Sequence, residues 1–236
     1  RLALTVEHIE AGALAGAVRT DQAAQFALGQ RQVDGIDYDV FIVPGLIMMG
    51  TGTAAYANTA SSLYQARFDG FIDDPVSGPM RARHLLVAYL AGGVVRGLAV
   101  GALTLVAAVV LVDLPAGNPL VTIIACLCAA VGFAALGIGV GLLAKTWDQQ
   151  SYVGNLLLTP LVFLGGVFYS VDVLSQPWRG LTHANPIFYL VDATRHGMLG
   201  TSDVPILLSL GVSVGITGLL VAWAGWLMSR GTGIRT

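Results

Sequence analysis

Charged side chains are scarce in this sequence. They make up 11% of its 236 residues, against roughly 25% in an ordinary soluble domain. Hydrophobic residues account for 55%, and the mean hydropathy is +0.74. So few charges cannot cover the surface of a soluble protein of this length, which excludes a soluble enzyme and a disordered chain. The net charge of −2 provides no basic surface for nucleic acid, so no nucleic-acid partner is expected.

Cysteines and catalytic motifs are equally sparse. The two cysteines, Cys126 and Cys128, stand two apart in an apolar run and point to different faces of a helix, which argues against a disulfide or a shared metal. The histidines are scattered, without the spacing of metal ligands. No glycine-rich phosphate loop ending in Lys-Ser/Thr is present. We therefore predict no catalytic, cofactor or metal site in this chain.

Long uncharged hydrophobic runs dominate what is present. A helix needs about 20 apolar residues to cross the ~30 Å hydrocarbon core of a membrane. Five segments meet this requirement, at about 40–66, 85–112, 118–144, 150–171 and 204–229. Their apolar residues fill consecutive positions, which favours helices over an alternating β-barrel pattern. The predicted fold is an all-α, multi-pass membrane bundle, with residues 38–236 forming the transmembrane domain.

Residues 1–37 differ from the rest of the chain. Glu7, Glu10, Arg19 and Asp21 interrupt an alanine-rich stretch. Burying such a charge in lipid costs ~2.5–3.5 kcal/mol on insertion scales. We predict an extramembrane or interfacial segment, or a first span that is divergent or incomplete.

Arginine and lysine predict the orientation of the spans. Counting loops between the spans places six basic residues on one face: Arg67, Arg81, Arg83, Lys145, Arg230 and Arg235. The opposite face holds mostly aspartates. The positive-inside rule assigns the basic face to the cytoplasm. The C-terminus is therefore predicted to be cytoplasmic.

The loop at residues 67–84 lies on this cytoplasmic side. Phe68, Phe71 and Ile72 follow the i, i+3, i+4 spacing of one helical face, and Pro75 ends that pattern. A short amphipathic helix of this kind docks into a groove of a partner protein or lies on lipid headgroups. The residues leave both interpretations open.

A long insert at residues 171–203 precedes the last span. It is too long for a turn and too apolar for a free external loop, and its Trp178 suits a membrane interface. The preceding span breaks at Gly165 and Gly166. We predict two short helices that dip into the outer leaflet, a backbone arrangement tolerated where protein or a water-lined cavity covers it.

The second of these helices starts at Asn185-Pro186 and carries Asp192 and Arg195. Their i, i+3 spacing brings the two side chains close enough to pair. In the alternative interpretation, Arg195 contacts lipid phosphates while Asp192 faces water. Near the outer leaflet a buried pair is tolerable, whereas either charge left alone and partly buried would be costly.

Arg96 is the one charge inside a predicted span. An intramembrane charge indicates function by default. The neighbouring Gly92, Gly93 and Gly97 also leave room for a structural pairing or for snorkelling to the interface. Glycines 132, 137, 139 and 141 predict close helix packing rather than a substrate groove.

Several of these motifs resemble the ABC-2 family of exporter permeases, most of all its bacterial inner-membrane branch of nodulation exporters. The similarity lies in Phe41-Ile-Val-Pro-Gly-Leu-Ile-Met-Met49 and Pro160-Leu-Val-Phe-Leu-Gly-Gly-Val-Phe-Tyr169, followed by Trp178, Asn185-Pro-Ile187 and Asp192-Ala-Thr-Arg195. It runs from about Val33 to the C-terminus. Residues 2–29 are too polar to match the first span of that family.

The resemblance implies a six-span permease subunit of the bacterial inner membrane. Such a subunit pairs with a second permease copy or paralogue and binds separate ATPase subunits, which hold ATP and Mg²⁺. The family's coupling helix corresponds here to Arg67, Phe68, Asp69, Phe71, Ile72, Asp73, Asp74 and Pro75. Its external re-entrant motif corresponds to Pro160, Gly165, Gly166, Trp178, Asn185, Pro186, Asp192 and Arg195.

The sequence thus predicts an exporter permease for an amphipathic, lipid-linked or drug-like substrate, embedded among membrane lipids and powered by a separate ATPase. The first alternative is a secondary transporter driven by an ion gradient. That class places acidic residues inside its spans, whereas every Asp and Glu here lies outside them. The second alternative, a non-transporting scaffold, does not explain the broken external insert.

Overall fold

A computed structural model describes residues 32–33, 36–70, 82–115, 117–171 and 178–231. The chain divides into two compact units, Arg1–Phe41 and Ile42–Thr236. The described part of the first unit holds two short antiparallel strands, β1 (Gln32–Val33) and β2 (Ile36–Asp37), with Val33 opposite Ile36. Most of the segment predicted to be interfacial or divergent lies outside the described residues.

Helices make up nearly all of the remaining described structure. They are α1 (Tyr38–Phe68), α2 (Ala82–Leu111), α3 (Pro119–Leu143), α4 (Trp147–Tyr152), a π-helix (Val153–Leu158), α5 (Thr159–Phe163), α6 (Trp178–Ala184), α7 (Pro186–Leu199) and α8 (Ile206–Ser229). In the described part of the chain, four helices are long and apolar enough to cross a membrane: α1, α2, α3 and α8. The predicted all-α, multi-pass membrane fold is confirmed.

The remaining predicted span, 150–171, does not form one long helix. Its helical part, α4, the π-helix and α5, covers residues 147–163, about 25 Å at 1.5 Å per residue. Pro160 has no N–H and crowds the preceding turn, and the helix widens there so that the Thr159 N–H reaches the carbonyl of Gly154. Gly166 then takes a left-handed φ of 78° and turns the chain away. The predicted break at Gly165-Gly166 is present, but it falls inside the predicted span.

Helix α3 is the centre of the second unit. It packs against α2, α7 and α8, and nine of its fourteen buried residues are alanine or glycine. The side-chain hydroxyl of Thr59 on α1 donates to the Ala134 carbonyl of α3 across 2.9 Å. Backbones approach this closely only where side chains are small.

Gly137 is the tightest point of the contact between α1 and α3. A Cβ atom there would lie 2.6 Å from the Tyr56 carbonyl and would overlap the Thr59 hydroxyl. Gly132 and Gly139 of α3 face Thr217 and Trp223 of α8 instead. The glycines therefore pack α3 between two neighbouring helices, as the sequence predicted.

We predict that Gly137→Ala lowers the free energy of unfolding by about 1–3 kcal/mol, because the added methyl group has no space. Gly50→Ala is the matched control, since its Cβ would lie 3.5 Å from Thr104 and Val100, an ordinary contact. That variant should be neutral or gain up to about 1 kcal/mol in helix propensity. Dodecyl sulfate titration in mixed micelles, followed by circular dichroism, measures both. Equal stability of the two variants would contradict this packing.

Candidate functional site

A buried polar network joins α7 to the rest of the bundle. Arg195 of α7 forms an ion pair with Asp203 across 3.2 Å, and its Nη2 donates to the Gly166 carbonyl across 2.5 Å. The Ser170 hydroxyl donates to the other carboxylate oxygen of Asp203 across 3.2 Å. Arg195 is 2% exposed. A charge this deeply buried is tolerated only when it is paired and hydrogen-bonded.

Asp192 forms the second half of the network. Its fully buried carboxylate accepts from the Asp203 backbone N–H across 2.7 Å and from the Ser209 hydroxyl of α8 across 2.5 Å. Burial is the largest effect on the Asp192 carboxyl and raises its pKa above the ordinary value, and the charge of Asp203 raises it further. The hydrogen bonds from the Ser209 hydroxyl and the Asp203 N–H, and the charge of Arg195, act in the opposite direction. The network therefore fixes α7 against the first turn of α8.

A third residue joins the predicted pair of Asp192 and Arg195. Asp203 bridges them, since its carboxylate contacts Arg195 and its N–H contacts Asp192. Gly200 brings it there, because its left-handed φ of 77° ends α7 and reverses the chain. The i, i+3 spacing alone does not reveal a third residue that arrives from beyond the helix.

The other residues of the predicted external motif frame this network. Asn185 caps α7 by accepting from the Ile187 N–H across 3.1 Å, and its own amide donates to the Leu161 carbonyl of α5 across 2.6 Å. Pro186 occupies the first helical position, where its missing N–H is harmless. Trp178 opens α6 and is largely exposed. Two short helices, α6 and α7, thus occupy the described part of the insert, residues 178–203.

The predicted coupling segment is described only at its beginning. Arg67 in the last turn of α1 donates to the carbonyls of Gly141 and Ala144 across 2.6 and 3.1 Å. These are carbonyls at the C-terminal end of α3, where a cation is favourable. Phe68 is 78% exposed, and Asp69 lies in the exposed turn that follows. Phe71, Ile72, Asp73, Asp74 and Pro75 lie outside the described residues.

An aromatic recess lies next to this turn. Tyr64 stacks on Phe68 with ring centroids 6.2 Å apart and meets Trp147 of α4 edge-on at 5.6 Å. Together with Gln65 and Asp69 these rings line an open hollow of about 430 Å³. Trp147 and Tyr64 were not among the predicted site residues, although an exposed tryptophan at a span end is a sequence signal for an interface.

Arg96 lies at the midpoint of α2 and is exposed within the chain. Its guanidinium donates to the Asn58 side-chain carbonyl of α1 across 3.3 Å. The sequence indicated Arg96 but not Asn58, because two helices must fold together before the amide reaches the arginine.

Comparison with known proteins adds an independent observation. Residues 8–199 match the model of the ABC-2 type transporter family. This chain belongs to the ABC-2 type transporter family. The match begins well before Val33, where the sequence resemblance started, and so includes most of the N-terminal segment.

The names of two relatives agree with membership of this family. This chain is 40% identical over 204 residues to inner membrane transport permease YadH of Escherichia coli K12, which covers 86% of this chain and 79% of the relative. Nodulation protein J of Rhizobium leguminosarum biovar viciae is 29% identical over 192 residues, covering 77% and 70%. The protein is therefore a multi-pass membrane transport permease.

The sequence missed three members of the polar network in this ABC-2 permease: Ser170, Asp203 and Ser209. Asp203 carried a usable signal, because it is one of three aspartates in the same insert and stands two residues before the Pro205 that precedes α8. The two serines carried none, since hydroxyl side chains are common throughout the spans.

We predict coupled effects for Arg195→Met and Asp203→Asn. Each change alone leaves a buried charge without its partner and should lower the free energy of unfolding by about 3 kcal/mol. The loss of unfolding free energy in the double variant should be smaller than the sum of the two single losses, by about 1 kcal/mol or more. Dodecyl sulfate titration of the original protein, the two single variants and the double variant measures the four free energies of unfolding.

Asp113→Asn is the matched control, since Asp113 is exposed on the loop after α2. It should change stability by no more than about 0.5 kcal/mol. Strictly additive losses for Arg195 and Asp203 would show that the ion pair does not hold the insert.

Proposed function

We propose that this chain is the membrane-spanning permease subunit of an ATP-driven exporter in the bacterial inner membrane. A separate ATPase subunit, which binds ATP and Mg²⁺, powers it, and the substrate is amphipathic, lipid-linked or drug-like. The aromatic recess at the end of α1 carries this proposal, together with membership of the ABC-2 family. Exposed aromatic rings beside a polar rim are typical of the anchors of a protein–protein interface.

The contacts of Arg67 provide a route from such a partner into the membrane. A partner that binds at the recess acts on the last turn of α1, and Arg67 ties that turn to the end of α3. Because α3 packs against α7 and α8, a displacement of the α1–α3 pair reaches the polar network. Rigid helices joined by close contacts transmit movement over this distance.

The same contacts support the proposed orientation. Arg67 and Lys145 lie at the adjoining ends of α1 and α3. At the opposite end of α3, Asn118 donates its N–H to the Gly197 carbonyl of α7 across 2.6 Å. The positive-inside rule then assigns the recess, Arg67 and the C-terminus to the cytoplasm and the α7 network to the outside.

We predict that Phe68→Asp weakens binding of the ATPase subunit by about 30-fold, because a charge replaces an aromatic anchor worth about 2 kcal/mol. Phe68→Leu, which keeps an apolar side chain, is the matched control and should bind normally. Co-expression with the ATPase of the same gene neighbourhood, co-purification and stimulated ATP hydrolysis provide the measurement. Normal coupling in the folded Asp variant, or transport by the permease without any ATPase, would refute the proposal.

We predict opposite accessibility of cysteines at Asp113 and Asp148, both exposed at helix ends. In a background carrying Cys126→Ala and Cys128→Ala, an impermeant maleimide added to intact cells should label Asp113→Cys but not Asp148→Cys. Permeabilised cells should label both, which controls for reactivity. Labelling of Asp148→Cys alone in intact cells would reverse the orientation.

A further inference from the structure

Arg96 lies far from both ends of its helix. About 14 residues of α2 separate it from either end, roughly 21 Å at 1.5 Å per residue. Snorkelling brings arginines near helix ends to the interface, but this position is too deep for that. An exposed arginine at the centre of a bilayer costs ~2.5–3.5 kcal/mol on insertion scales. Something other than hydrocarbon must therefore cover it.

The neighbouring surface of α1 is polar. Four polar residues that are not fully buried stand at i, i+3, i+4 and i+7, so they lie on one helical face: Asn58, Ser61, Ser62 and Gln65. The opposite face of α1 carries the buried residues that contact α3. This polar face meets Arg96 at Asn58 and continues to the end of α1.

The Asn58 side-chain oxygen accepts a hydrogen bond from one of the five N–H donors of the Arg96 guanidinium. Among the described residues no carboxylate pairs with Arg96. A second copy of this chain offers none at this depth either, because the five predicted spans contain no Asp or Glu. Within these spans, a bound molecule is the remaining source of a negative charge for Arg96.

We propose that Arg96, oriented by Asn58, binds an anionic oxygen group of an amphipathic substrate at the middle of the membrane. This inference rests on the proposed export function and specifies its substrate class. A planar guanidinium recognises phosphate, sulfate and carboxylate groups through paired hydrogen bonds. Val95 and Leu103, both highly exposed on α2, provide the apolar surface for a hydrocarbon chain.

Binding of dodecyl phosphate to the purified permease tests this site. Native mass spectrometry from dodecyl maltoside micelles counts the bound dodecyl phosphate molecules. The detergent serves as a control, because it has the same dodecyl chain and no charge. Arg96→Gln should raise the apparent Kd about tenfold or more, because a charge-assisted hydrogen bond is lost. Arg96→Lys keeps the positive charge but loses the paired hydrogen bonds of the planar group, so its apparent Kd should lie between those of the original and of Arg96→Gln.

Arg230→Gln is the matched control. It removes an arginine from the end of α8, where the guanidinium lies 4.1 Å from the Trp226 ring centroid, and should leave binding unchanged. Asn58→Leu should weaken binding several-fold, because Arg96 loses its orienting acceptor. If Arg96→Gln fails to fold, Asn58→Leu and Arg96→Lys carry the test together.

Two further probes distinguish the sources of the anion. Competition by inorganic phosphate that depends on Arg96 supports the site and assigns it to a free anion. Equal, Arg96-dependent binding of phosphatidylglycerol identifies a bilayer headgroup and overturns a substrate site. Dodecyl phosphate binding that is unaffected by Arg96→Gln and Asn58→Leu also overturns it. No ATPase is present, so these outcomes are independent of the coupling experiment on Phe68.

Discussion

The close contact between α1 and α3 is the constraint on which the other features depend. Gly137 lets the two backbones meet, and the Thr59 hydroxyl bonds across them to Ala134. Lipid offers no hydrophobic drive for helices to associate, so close packing and hydrogen bonds of this kind hold them together. Because α3 also packs against α2, α7 and α8, its position fixes the positions of all three.

Three arginines stand at three depths of this bundle, and each is stabilised differently. Arg67 caps the carbonyl end of α3. Arg195 is buried against Asp203 and the Gly166 carbonyl. Arg96 meets a neutral amide and otherwise faces outward. Arg67 and Arg195 find within the chain the carbonyl or carboxylate oxygens that a buried cation requires, whereas Arg96 has a neutral amide as its partner. That difference is why Arg96, and not Arg195, indicates a ligand.

Helix α7 is held to its neighbours by a network of buried polar contacts. Asp192, Asp203 and Ser209 hold α7 to α8, and Asn185 holds it to α5. Each contact crosses between elements, so a movement of one element is opposed by the others. Buried polar networks have few alternative arrangements, because an unsatisfied member is costly. These contacts therefore couple any movement of α7 to α5 and α8.

Sequence alone determined the membrane fold, four of the spans and the family, because each depends on local composition against lipid or on contiguous motifs. It also indicated Arg96, Arg195 and the break at Gly166, since an isolated charge or a glycine pair is visible in one segment. Only the tertiary structure decided that Asp203 bridges Asp192 and Arg195, that Tyr64 meets Trp147 and that Asn58 orients Arg96. It also showed that the span at 150–171 ends early, at Phe163. Most of these features join residues from different elements, and no periodicity within one element reports which side chain another helix will bring.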